Sequence, residues 1–108
     1  MIKEIEERYP QTTVEFKSIQ ADLYRLFCKK QADYGPGNIA GGTMLRNKRD
    51  VNWALICMST RMNDKIQRLM NLLRTKQKPN NESIDDTLRD LGNYAIMSLI
   101  LINNKWGK

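Results

Sequence analysis

The sequence predicts an all-α fold, a small antiparallel bundle of about three main helices, on three observations. Apolar residues recur at three- and four-residue spacing along three long stretches. No stretch carries the strict alternation of a half-buried strand. Four of the six glycines crowd into residues 33–49, which separates the first apolar stretch from the second. At 108 residues the chain is expected to be one domain with a modest core.

The first helix is expected over residues 13–32. Thr12 and Glu15 have the spacing of a capping box, and Phe16, Ile19, Leu23, Leu26 and Phe27 then share one face. Residues 1–12 are expected as an N-terminal arm or a short extra turn. The segment 33–49, with Gly35, Pro36, Gly37, Gly41 and Gly42, cannot continue a helix. Its spacing matches neither a dinucleotide fingerprint nor a P-loop. A loop that long in so small a domain reads either as a flexible connection or as a lid whose amides and Asn38 close over a ligand. Asn47 or Asp50 caps a second helix whose stripe runs from Val51 through Met58 and Ile66 to about Arg74. Pro79 stops it, and the short polar link 75–81 requires the next helix to run antiparallel. That third helix is read over residues 82–106, started by Ser83 with Asp86 three residues on.

The net charge is +6 and histidine is absent, so imidazole catalysis and histidine ligation are excluded. The positive balance favours a polyanionic partner. Cys28 and Cys57 sit in apolar helical patterns without CxxC spacing and read as reduced core residues. The opening MIKEIEERYP lacks the apolar run of a signal peptide, and the apolar run 94–102 is too short to span a bilayer. The expected location is the cytoplasm, the host's if the protein is viral, with no membrane partner. Apolar density between residues 96 and 102 predicts a homo-oligomer, a dimer or higher.

Glu82, Asp86, Asp90, Asn93 and Met97 recur at helical spacing, so a row of carboxylates ending in a carboxamide would line one stripe of the third helix. Mg²⁺ takes an oxygen shell of one or two carboxylates completed by water and phosphates, and Asp86, Asp90 and Glu82 are the candidate ligands. The alternative is a set of solvated charges at a helix N-terminus. Arg61, Lys65 and Arg68, at i, i+4 and i+7, form a cationic stripe able to bind phosphate or to pair with those carboxylates. Asn93 offers a carboxamide to a base edge or sugar hydroxyl, and Tyr94 closes the same pattern; either one also suits the core.

Three motifs occur in order between residues 21 and 102: a lysine-rich helix ending in Asp33-Tyr34-Gly35, then Lys65-x-x-Arg68-Leu69, then Asp86-x-x-x-Asp90-x-x-x-Tyr94. Together they resemble the phage and bacterial family called nucleotide modification-associated domain 1. More distantly, the acidic helix is similar to the all-α nucleoside triphosphate pyrophosphatases, the MazG and dimeric dUTPase group. The first resemblance supports Lys65 and Arg68 as phosphate contacts. It also places the Asp33 turn at the far end of a pocket, where Asp33 joins a metal shell or caps the loop, Tyr34 stacks on a base or packs, and Asn38 follows. The pyrophosphatase likeness implies metal-activated hydrolysis, but the Glu-x-x-Glu pair of its first helix is missing here, where Glu15 and Asp22 stand seven residues apart. The functions implied are binding of a nucleotide-like phosphorylated ligand, with Mg²⁺ as a possible cofactor; a non-catalytic phage sponge for a nucleotide signal; or a Mg²⁺-dependent pyrophosphatase. Nucleic-acid binding ranks last, because the remaining lysines and arginines are scattered without aromatic interleaving.

Overall fold

The computed structural model describes residues 1–108 and is all-helical: α1 (Ile2–Arg8), α2 (Pro10–Tyr34), α3 (Lys48–Thr75) and α4 (Ile84–Ile102). The three expected long helices are present, and a fourth, short one precedes them. The capping box expected at Thr12 is not used. Pro10, whose ring holds φ near the helical value, starts α2 three residues earlier than expected, and Thr13 lies inside the helix, donating to the carbonyls of Tyr9 and Pro10. At the other end α2 runs on to Tyr34. Gly35 stops it with φ +73°, a conformation that a side chain would disfavour.

Both remaining starts follow the sequence reading. Asn47 Oδ1 accepts from the Asp50 amide at 3.0 Å, and Ser83 Oγ accepts from the Asp86 amide at 3.0 Å. α4 is shorter than expected. It ends at Ile102, Asn104 takes φ +58°, and the chain turns so that Trp106 folds back into the core.

α3 and α4 pack antiparallel along their length, α2 crosses α4, and α1 packs only on α2. The crossing is close because Gly92 has no side chain; a Cβ there would stand 3.2 Å from Leu23. Ala54 and Met58 of α3, Met97 and Leu101 of α4, Ile39 of the loop and Trp106 form the buried core. Phe27 meets Trp106 edge to face, with ring centroids 5.9 Å apart. No helix is long and apolar enough to cross a membrane.

Trp106 therefore joins the chain end to the bundle through a ring that is 7% exposed. Trp106→Ala should lower stability by about 3–5 kcal/mol, the usual range for truncating a buried aromatic. Urea unfolding followed by circular dichroism measures this, and a loss below about 1 kcal/mol would place the ring outside the cooperative core.

Candidate functional site

The antiparallel register of α3 against α4 brings the cationic stripe of one onto the acidic stripe of the other. Lys65 Nζ lies 2.9 Å from Glu82 Oε1, 2.8 Å from Glu82 Oε2 and 2.9 Å from Asp90 Oδ2. Lys30, from α2, reaches the other oxygen of Asp90 at 2.8 Å. One turn along α3, Arg68 donates to Thr87 Oγ1 at 2.6 Å and to the backbone carbonyl of Glu82. Thr87 Oγ1 in turn lies 3.0 Å from Glu82 Oε1. Two lysines and two carboxylates, from α2, α3, α4 and the link that precedes α4, thus satisfy one another.

This geometry sets the ionisation of the group. Burial alone would push the Asp90 carboxyl up, but Lys30 and Lys65 hold it below the usual carboxylate range. Lys30 is raised by its bond to Asp90, which outweighs burial. For Lys65 burial pulls downward, and the bonds to Glu82 and Asp90 overcome it.

Beside this cluster opens a cleft of about 590 Å³ between the end of α2, the glycine-rich loop, α3 and α4. Lys30, Arg61 and Asp90 are its charged walls; Phe27, Tyr34 and Tyr94 are its rings; Gln31, Asn38 and Asn93 are its carboxamides. Arg61 makes no ion pair and donates only to the carbonyl of Asn38, at 3.0 Å. Asn38 Oδ1 is buried and has no hydrogen-bond partner. The loop wall is held at three carbonyls: Trp106 Nε1 donates to Pro36 at 2.7 Å, Arg61 to Asn38, and Trp53 Nε1 to Gly41 at 3.0 Å. Gly41 is required there, since a Cβ would come within 2.9 Å of the Trp53 ring. A smaller cleft of about 320 Å³ near the C-terminus has only Lys108 as a charged wall.

The residues singled out from sequence are divided by this arrangement. Arg61, Tyr34, Asn38, Asn93, Tyr94 and Asp90 line one cleft. Lys65, Arg68 and Glu82 are neighbours of that cleft, but their polar atoms are taken by one another, by Asp90 and by Thr87. Asn93 also spends its amide, donating to the carbonyl of Leu23 at 3.1 Å. Asp33 and Asp86 are exposed and join neither cluster. Thr87, fully buried, takes the inward position that the pattern assigned to Asp86.

The carboxylates that converge are already paired with protein cations. No three His, Cys, Asp or Glu side chains gather anywhere in the chain. Glu82 and Asp90 converge on the Lys65 ammonium, and Asp22 and Asp85 converge on Arg89. Lys30, Gln31 and Phe27 were missed by the sequence reading. Their signal was available, since residues 27, 30, 31 and 34 share one face of α2 with Tyr34.

The family model described as nucleotide modification associated domain 1 matches residues 30–102, a span that contains every wall residue of the cleft beside Asp90 except Phe27. No curated protein and no solved structure matches the chain.

The depressed Asp90 has a measurable consequence. A carboxyl lowered by folding contributes stability that is complete above its unfolded value of about 3.9 and is lost as pH falls through the lower folded value. The raised lysines contribute below their unfolded value of about 10.4 and lose that contribution as pH rises through their higher folded values. Asp90→Asn should therefore be less stable than the wild type at neutral pH, by about 1.5–3 kcal/mol. The gap should narrow as the pH falls below the unfolded value and close as it passes through the lowered folded value. Urea midpoints of both proteins across the acid range test this, and a gap that does not narrow as the pH falls would remove the Asp90 charge from the cluster's energetics.

Proposed function

Because the chain belongs to the nucleotide modification associated domain 1 family, we propose that it binds a nucleotide-like ligand in the cleft beside Asp90, holding its phosphate without a metal and without turning it over. The observation that carries this reading is a pair of wall groups with unspent capacity, the Arg61 guanidinium and Asn38 Oδ1. A guanidinium free of carboxylates suits a phosphate oxygen. A buried carbonyl oxygen without a donor suits the N–H of a base or a sugar hydroxyl. Tyr34, 66% exposed, and Phe27 supply faces on which a base can stack.

Charge narrows the ligand. With Lys30 and Arg61 set against Asp90, the walls carry one net positive charge. That suits a single phosphate, as in a nucleoside monophosphate or a phosphodiester-containing cyclic nucleotide, better than the multiple charges of a triphosphate. The more distant likeness to all-α pyrophosphatases would add Mg²⁺-dependent hydrolysis, and the cleft supports that less. Histidine is absent, Asp90 is held too acidic to act as an efficient base, and Lys65 stands where a cation would bridge the carboxylates. A sponge that sequesters a nucleotide signal, acting in the cytoplasm of a host if the protein comes from a phage, is the biological form of this reading.

Incubation with a panel of linear and cyclic nucleotides, followed by mass spectrometry of retained and converted species, tests it. Retention of a singly phosphorylated species without conversion is expected. Multiple turnovers of a triphosphate would overturn it. Arg61→Ala should cost about 1.5–3 kcal/mol of binding free energy, the value of a charged hydrogen bond, while Arg61→Lys should retain part of it. Asp90→Asn should leave affinity intact or raise it, since Lys30 and Lys65 are released toward the phosphate. Calorimetry that finds Arg61→Ala neutral would assign the guanidinium to loop support alone.

A further inference from the structure

The single chain exposes more surface than a folded protein of its mass should. Its accessible area is 8457 Å² at 12.6 kDa, where the scaling for compact monomers gives about 6,200 Å². Its radius of gyration is 16.4 Å, against about 13 Å for a compact domain of this length. Only 12 of 108 residues are buried, so the excess is not a matter of a few long side chains.

The excess has two identifiable locations. The first is the arm made by α1 and the first half of α2. Phe16 and Ile19 continue the stripe that buries Leu23, yet they remain 64% and 37% exposed because no other helix reaches them. The second is the outer face of α4. Leu88, Ile96, Leu99 and Ile102 lie there at 52%, 47%, 59% and 60% exposure, at spacings that keep them on one stripe. Both are apolar, and nothing in the chain covers either.

We propose that a second copy of this chain covers both, the α1–α2 arm of each protomer lying along the outer stripe of its partner's α4 in a two-fold dimer. Two features favour a second copy over a different partner. One chain carries both a protruding apolar arm and an apolar stripe to receive it, which is what an isologous pair requires. The excess area, roughly 2,200 Å² per chain, exceeds the ~800 Å² per partner of a standard stable interface.

Sedimentation velocity of the full chain at micromolar concentration, together with Phe16→Glu and Leu99→Glu, tests the pairing. Both side chains are exposed in the single protomer, so each variant should keep its helical circular dichroism. The wild type should sediment as a dimer and each variant as a monomer. A second measurement does not depend on how those variants behave. A chain carrying Phe16→Cys, mixed with one carrying Leu99→Cys, both in a Cys28→Ser background, should form a disulfide between chains under mild oxidation. A monomeric wild type would overturn the proposal. So would a dimer that survives both substitutions or gives no such cross-link.

Discussion

The ammonium of Lys65 between Glu82 and Asp90 is the contact on which the rest of the molecule depends. Its side chain is 20% exposed and its two partners 31% and 10%, so all three charges are largely withdrawn from water. Such a group is tolerated only when fully paired, because desolvation of an unmatched charge costs several kcal/mol. Pairing of this kind admits one register. Lys65 opposite Asp90 and Arg68 opposite Thr87 place Met58 opposite Met97 and Ala54 opposite Leu101, which is the core. Sliding α4 by a turn would strand the charges and expose the methionines together.

The same contact determines what the cleft can recognise. Asp90 faces the cleft, yet Lys30 and Lys65 already hold its two oxygens. It therefore contributes little repulsion to an incoming phosphate, and Arg61 remains as the unpaired cation. The opposite wall is set by the loop, whose carbonyls at Pro36, Asn38 and Gly41 are each held by a side chain from outside it. Three such anchors within six residues make a preformed wall rather than a freely moving lid, which lowers the ordering cost of binding. Trp106 links this wall to the core through Phe27.

Much of the fold was legible in the sequence because it rests on local rules: the stripe of α3, the Asn47 and Ser83 caps, and the glycine-rich break after Tyr34. What was not legible depends on choices between competing local signals or on tertiary contacts. Pro10 and the Thr12–Glu15 box both signal a helix start, and proline's fixed φ decided for the earlier one. Spacing alone put Asp86 on the inner stripe. Thr87 takes the place because it can both be buried and give Arg68 an acceptor, which periodicity does not weigh. Arg61, Tyr34, Asn38, Asn93 and Tyr94, singled out separately along the sequence, line one cleft. Of Asp90's two partners, Lys65 was among the cations expected to pair with the acidic stripe, whereas Lys30 was not foreseen, because it lies 60 residues away in sequence and no spacing rule connects the two.

The internal ammonium is most directly tested by measuring the affinity of a nucleoside monophosphate twice by calorimetry, once in excess chelator and once with saturating magnesium. If Lys65 already neutralises Glu82 and Asp90, the two affinities should agree within about twofold, or about 0.4 kcal/mol. Binding that appears only with magnesium would mean that a divalent ion displaces the lysine, and the charge arrangement described for this cleft would be wrong.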